Sequence, residues 1–132
     1  MIVWMCACMH GFAFPSIVSP TAIVNEDVKM EEGAVVCDGV VIQSGSQIGS
    51  FVILNTGCRI DHDCQLGDFV HVAPGATLCG SVKVEEHALI GAGSVVIQNK
   101  MIGKKCLIGA GSAVVKDCLI QGTYLGVPAR KI

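Results

Sequence analysis

The chain has 132 residues, a length that usually forms one domain. Hydrophobic residues make up 52% of it and charged residues 15%, which excludes intrinsic disorder, while polar residues and glycines interrupt every apolar run before the ~20 residues of a membrane span. The net charge is −2, and no basic stripe is present to bind nucleic acid. We therefore expect a soluble domain that binds neither nucleic acid nor a membrane.

Residues 1–16 are predicted to form an N-terminal extension or linker. The start of this segment is apolar, which is one property of a signal peptide. A signal peptide, however, begins with a positively charged region, and the chain begins Met-Ile-Val-Trp. We therefore expect a cytoplasmic protein.

A six-residue repeat dominates the rest of the chain. An aliphatic residue recurs at every sixth position from Met30 to Val114, and a small or β-branched residue follows four positions after each, with Lys100 as the one exception. Side chains alternate along a strand, so both columns point inward, and the glycine-rich positions between them form corners. The pattern predicts that residues 17–120 are all-β and form a parallel β-helix with three short strands per eighteen-residue coil. Lys100 is predicted to mark a bulge or to extend its amine to solvent.

The cysteines follow the same repeat. The chain contains eight, which would allow a disulfide framework in a secreted protein. Four of them occupy the small column, where alanine, valine and serine are the alternatives: Cys58, Cys64, Cys106 and Cys118. We interpret these as buried filler in a reduced protein.

Residues eighteen apart should lie one rung above each other, at the ~4.8 Å spacing of neighbouring strands. One outward face then carries a single polar residue, and its members are Val35, Ile53, His71, Leu89 and Leu107. An exposed apolar column of this length indicates a contact between copies of the chain, and a three-sided prism favours a homotrimer. The corner beside this face stacks Phe51, Phe69 and His87, which we interpret as packing.

His62 is the main candidate for chemistry. It lies at a predicted corner between Asp61 and Asp63, and a histidine whose N–H is held by a carboxylate is a candidate general base. A solvated polar corner is the alternative. Gly80 lies one rung above, and its uncovered backbone N–H could face an oxyanion. His71 lies on the face opposite this corner, so it can meet His62 only across a subunit boundary, and a trimer would hold three such composite sites.

Two further corners are built from Gly-Ala-Gly, one coil apart, with Ala92 and Ala110 at their centres. Small corners on successive rungs would form a shallow channel for the arm of an extended ligand. The alternative is that Gly-Ala-Gly simply forms corners well.

The sequence resembles a known family over residues 11–132. Residues 54–57, 60–64 and 67–80 are similar to the hexapeptide-repeat sugar O/N-acetyltransferases, of the sialic acid O-acetyltransferase and bacillosamine-pathway acetyltransferase type. The ending Gly-Val-Pro-Ala of residues 126–129 is similar to the closing Gly-Asn-Pro-Ala of that family. The resemblance implies a left-handed β-helix and an acetyl-CoA-dependent transfer to an amine or hydroxyl of a sugar or nucleotide-sugar.

The resemblance also implies roles for the candidate residues. His62 would be the general base and Asp63 would raise its basicity, His71 would contact the acetyl thioester, and Gly80 would supply an oxyanion N–H. Ala92 and Ala110 would line the pantetheine channel of acetyl-CoA, and no metal would be needed.

Members of the family carry a small α/β domain that binds the nucleotide-sugar in front of the β-helix. Residues 11–15 resemble the linker that leaves this domain, so we expect the chain to lack it, and residues 121–132 to form a C-terminal tail.

Two alternative functions remain at this stage. One is a catalytically idle trimeric scaffold that has lost its acceptor-binding domain. The other is a zinc hydratase, which would need three histidines brought together across an interface, whereas neither His62 nor His71 shares the column of His87.

Overall fold

The computed structural model describes residues 9–132. The beginning of the N-terminal extension, including Cys6 and Cys8, lies outside them. In the described residues the strands follow the six-residue repeat from Ile17 onward, before two final strands depart from it. They are β1 (Ile17–Val18), β2 (Ile23–Val24), β3 (Lys29–Met30), β4 (Val35–Val36), β5 (Val41–Ile42), β6 (Gln47–Ile48), β7 (Ile53–Leu54), β8 (Arg59–Ile60), β9 (Gln65–Leu66), β10 (His71–Val72), β11 (Thr77–Leu78), β12 (Lys83–Val84), β13 (Leu89–Ile90), β14 (Val95–Val96), β15 (Met101–Ile102), β16 (Leu107–Ile108), β17 (Ala113–Val114), β18 (Thr123–Leu125) and β19 (Arg130–Lys131).

Three sheets enclose the core, because each strand up to β14 pairs in parallel with the third strand after it. Strand β18 continues sheet A, and β19 pairs with it antiparallel. Sheet A has the order β1-β4-β7-β10-β13-β16-β18-β19, sheet B runs from β17 down to β2, and sheet C runs from β15 down to β3. Registers such as Ile53↔His71 and His71↔Leu89 join residues eighteen apart. The predicted left-handed parallel β-helix is confirmed.

The two inward columns form the core. From Val36 to Val114 every member of the aliphatic column is buried, and from Ala34 to Cys118 every member of the small column except Lys100 is buried. Burying one large aliphatic side chain contributes roughly 1.5–3 kcal/mol, so this repetition supplies the main stabilisation of the fold.

Lys100 does not mark a bulge, so that alternative is wrong. The backbone N–H of Lys83 donates to the Lys100 carbonyl oxygen at 2.9 Å, and Lys83 pairs with Met101 in unbroken register. The side chain is half-buried. A lysine can therefore occupy the small column without displacing the backbone.

Glycine is not required at the corners, although it is common there. Every sixth residue from Gly33 to Gly111 has a positive φ, and seven of these are not glycine. They are Phe51, Asp63, Phe69, Ser81, His87, Asn99 and Lys105. At Gly91, whose φ is ordinary, the requirement is close approach, since a Cβ would lie 2.5 Å from the Ile108 carbonyl oxygen.

The predicted ladder of rings at one edge is present. The rings of Phe51 and Phe69 stack with centroids 5.5 Å apart, and those of Phe69 and His87 with centroids 4.8 Å apart. On the neighbouring sheet A face, the side chains of Ile53 and Leu107 remain exposed in the single chain.

The described cysteines are free thiols. Cys58, Cys64, Cys106 and Cys118 are buried, as predicted for filler of the small column. Burial raises the pKa of the Cys58 thiol to about 12. Within the same described range, no helix has both the length and the apolar character needed to cross a bilayer.

Candidate active site

His62 lies at the corner between β8 of sheet B and β9 of sheet C. Its backbone N–H donates to Asp61 Oδ1 at 2.8 Å, which fixes the chain as it enters the corner. Asp63 has a φ of 58° and places its Oδ2 2.9 Å from His62 Nδ1. Because a carboxylate only accepts hydrogen bonds, the neutral ring carries its proton on Nδ1 and its lone pair on Nε2.

This arrangement raises the pKa of His62 above its usual value. The hydrogen bond to Asp63 is the largest cause, partial burial acts against it, and the negative charges of Asp61 and Asp63 add to the increase. The imidazole and its partner carboxylate both remain exposed to solvent. His62 is thus an accessible base whose unprotonated nitrogen is Nε2.

Gly80 lies one rung above His62 and packs against its imidazole. A Cβ on Gly80 would lie 2.5 Å from His62 Nε2, so only glycine leaves room for the ring in this position. Ser81 N–H donates to the His62 carbonyl oxygen at 2.9 Å and holds the two rungs together. Gly80 is buried, and its own N–H has no acceptor within residues 9–132.

His71 lies on β10, on the outer face of sheet A. Its Nε2 is 3.3 Å from Nδ2 of Asn55, and because the amide nitrogen only donates, Nε2 is the acceptor. Sequence reasoning gave Asn55 no role. The signal available in the sequence was the position of Asn55, which directly follows β7, the strand that pairs with the strand of His71.

The single chain does not bring His62 and His71 together. His62 is at the corner between sheets B and C, whereas His71 is on sheet A, across the core. Any shared site must therefore use residues from two copies of the chain.

Ala92 and Ala110 lie at the corner between sheets A and B and are both exposed. Gly111 N–H donates to the Ala92 carbonyl oxygen at 2.9 Å, and Gly93 N–H donates to that of Pro74 at the same distance. The corners thus stack into one ridge whose upper part has only small side chains.

The grooves of the single chain do not coincide with the predicted residues. One groove, of about 660 Å³, lies on sheet C and is lined by Gln47, Gln65 and Lys83 among others, with none of the predicted site residues. A smaller pocket of about 210 Å³ lies on sheet B beside the His62 corner and includes Arg59 and Asp61. The chemistry favours the His62 corner, because it combines an accessible base with a backbone donor.

No group of three or more histidine, cysteine, aspartate or glutamate side chains is placed to hold a metal ion in the part of the chain that the structure describes. The zinc hydratase alternative gains no support from a single chain.

The fold and the repeat define a left-handed β-helix of hexapeptide repeats, and residues 63–98 match the family model described as bacterial transferase hexapeptide (six repeats). PerB from Caulobacter crescentus, solved with CoA and GDP-perosamine, is 39% identical over 99% of this chain with a TM-score of 0.97. The acetyltransferase domain of PglB from Neisseria gonorrhoeae, solved with acetyl coenzyme A, is 35% identical over 99% with a TM-score of 0.96. WeeI from Acinetobacter baumannii is 31% identical over 99% with a TM-score of 0.95.

Over 99% of its length the chain is similar to hexapeptide-repeat acetyltransferases that were solved with CoA or acetyl coenzyme A. It spans 63% of the PerB chain and 64% of the PglB and WeeI chains. The comparison with curated proteins finds no match.

The Asp63 carboxylate should control the protonation of His62. We expect Asp63→Asn to lower the pKa of His62 towards the ordinary value of about 6.5, because the amide neither carries the charge nor favours the imidazolium. An NMR titration of the His62 ring protons measures this directly. Asp68→Asn, at another corner, is the control and should leave the His62 titration unchanged. An unaltered pKa in Asp63→Asn would contradict the assigned hydrogen bond.

Proposed function

We propose that this protein transfers the acetyl group of acetyl-CoA to an amine of a nucleotide-linked sugar, with His62 as the general base. The observation that carries the proposal is the position of His62 Nε2 against Gly80, because one corner then holds both a base and an unused N–H donor. The similar structures solved with CoA and GDP-perosamine or with acetyl coenzyme A support the choice of both substrates.

The reaction follows from this geometry. The acceptor nitrogen attacks the thioester carbonyl carbon while His62 Nε2 removes its proton, and the carbonyl electrons move to oxygen. Gly80 N–H donates to that oxyanion, a type of interaction that contributes substantially to acyl transfer. When the C–O double bond re-forms, the C–S bond breaks, and the CoA thiolate takes the proton from His62. Asp63 stabilises the imidazolium formed between these steps.

The cofactor path and the assembly complete the proposal. The small side chains of Ala92 and Ala110 line the channel for pantetheine, and His71 contacts the thioester from a neighbouring subunit. The exposed apolar side chains of sheet A, with Ile53 and Leu107 each about two-fifths exposed, favour a homotrimer in which this face is covered.

We assign residues 17–120 to the acyltransferase domain and residues 121–132 to a tail that closes its last coil. The Leu125 side chain packs directly against Gly109, beside the proposed channel. We place the protein in the cytoplasm, because buried thiols such as Cys58 and Cys64 remain free.

The role of His62 is tested by His62→Ala. We expect loss of at least about a hundredfold in kcat, since general-base catalysis contributes about 10²–10⁴-fold, with the trimer and stabilisation by acetyl-CoA retained. Thiol release from acetyl-CoA with an amino-sugar nucleotide panel measures turnover, and thermal unfolding with acetyl-CoA measures binding. Undiminished turnover would remove His62 from the base role. Binding without turnover on any acceptor by the wild-type chain would favour the idle scaffold instead.

The composite site is tested by mixing two inactive variants, His62→Ala and His71→Ala. If each site takes His62 from one subunit and His71 from the next, random mixed trimers should contain both histidines in about a quarter of their sites. Co-refolding the two variants should therefore restore about a quarter of wild-type turnover. Mixtures that stay as inactive as the separate variants would contradict a site shared between neighbouring subunits.

A further inference from the structure

The peptide unit that joins Cys79 to Gly80 carries the proposed oxyanion donor. Its carbonyl oxygen accepts a hydrogen bond from the thiol of Cys64, with Sγ 3.2 Å away. A trans peptide is planar, with its C=O and N–H pointing in opposite directions. Because the thiol lies in the core, the Gly80 N–H points away from the core.

The geometry around the sulfur restrains this whole corner. Cys64 has no exposed surface, and it follows Asp63 directly, so one turn of chain presents the base and holds the thiol. The carbonyl oxygen that precedes Gly80 is thereby tied to this side chain.

Cys64 remains a donor at neutral pH. Burial raises the pKa of its thiol to about 11, so the sulfur keeps its proton. A protonated thiol is also a poor nucleophile, which makes a direct reaction of Cys64 with a thioester unfavourable.

The rung below contains the same device. Ser46 precedes Cys64 in the small column, and its hydroxyl donates at 2.9 Å to the carbonyl oxygen of Asp61. That peptide unit carries the N–H of His62, which donates to Asp61 Oδ1. The Cys79–Gly80 peptide unit differs from the Asp61–His62 unit in one respect, because the N–H of Gly80 has no acceptor among the described residues. Val28 and Val82, which continue the column below and above, have no side-chain donor.

We propose that Cys64 is a positioning residue for acetyl transfer, whose thiol aims the Gly80 N–H at the developing oxyanion. The hydrogen bond to the carbonyl oxygen also polarises the peptide unit and strengthens its N–H as a donor. This inference rests on the proposed function, and it extends the catalytic machinery one layer into the core.

The test compares Cys64→Ala with Cys64→Ser and with Cys58→Ala. Cys58 is equally buried and its thiol makes no hydrogen bond within residues 9–132, so its replacement removes the same volume without removing a donor. We expect kcat of Cys64→Ala to fall about tenfold, less than the 10²–10³-fold loss of a complete oxyanion donor. KM for acetyl-CoA and the acid limb of the pH profile should remain unchanged. Cys64→Ser should recover most of kcat, and Cys58→Ala should retain it.

Equal losses of kcat in Cys64→Ala and Cys58→Ala would overturn the proposal, because they would assign the effect to packing. Retention of full kcat by Cys64→Ala would overturn it as well. The amide signal of Gly80 in NMR spectra tests the orientation without any turnover, and it should shift in Cys64→Ala, return in Cys64→Ser and stay in place in Cys58→Ala. If this amide responds as expected while the wild-type chain transfers no acetyl group, the thiol's orienting role stands and the proposed function fails.

Discussion

The hydrogen bonding of each rung to the next, eighteen residues along the chain, is the constraint on which the rest of the structure depends. It holds the strands in parallel register and leaves a narrow interior, which two columns of aliphatic and small side chains fill. It also places a defined residue above every corner residue. Gly80 therefore lies over His62, where an imidazole can pack against backbone only because no Cβ intervenes.

The same constraint explains why much of the architecture could be predicted from the sequence. A repeat of six residues determines which side chains point inward, and the eighteen-residue coil determines which residues share a face. The stacked rings of Phe69 and His87 and the position of Gly80 both follow from counting. Handedness does not follow from the periodicity, and it was predicted only through the family resemblance.

Other features depend on side-chain conformation, which spacing does not determine. The repeat alone places Asn55 at the end of a strand and Cys64 among the residues that fill the core. It predicts neither the contact of Asn55 with His71 nor the hydrogen bond from the Cys64 thiol to the Cys79 carbonyl oxygen. Lys100 shows the opposite case, because a residue of the wrong size and charge suggested a bulge that the backbone does not make. A long, flexible side chain can leave the core at a position where its backbone stays regular.

The corner of His62 and Gly80 forms a single unit in which the imidazole packs on the glycine backbone, and a substitution of Gly80 tests this most directly. A Cβ there would overlap the imidazole rather than the backbone, and the φ of Gly80 is not in the left-handed region, so Gly80→Ala should keep the fold and displace the ring. Displacement of a catalytic group by about 1 Å can cost about a hundredfold in rate. We predict that kcat for the proposed acetyl transfer falls by about that factor in Gly80→Ala, at an unchanged unfolding temperature. Wild-type kcat in a folded Gly80→Ala enzyme would contradict it.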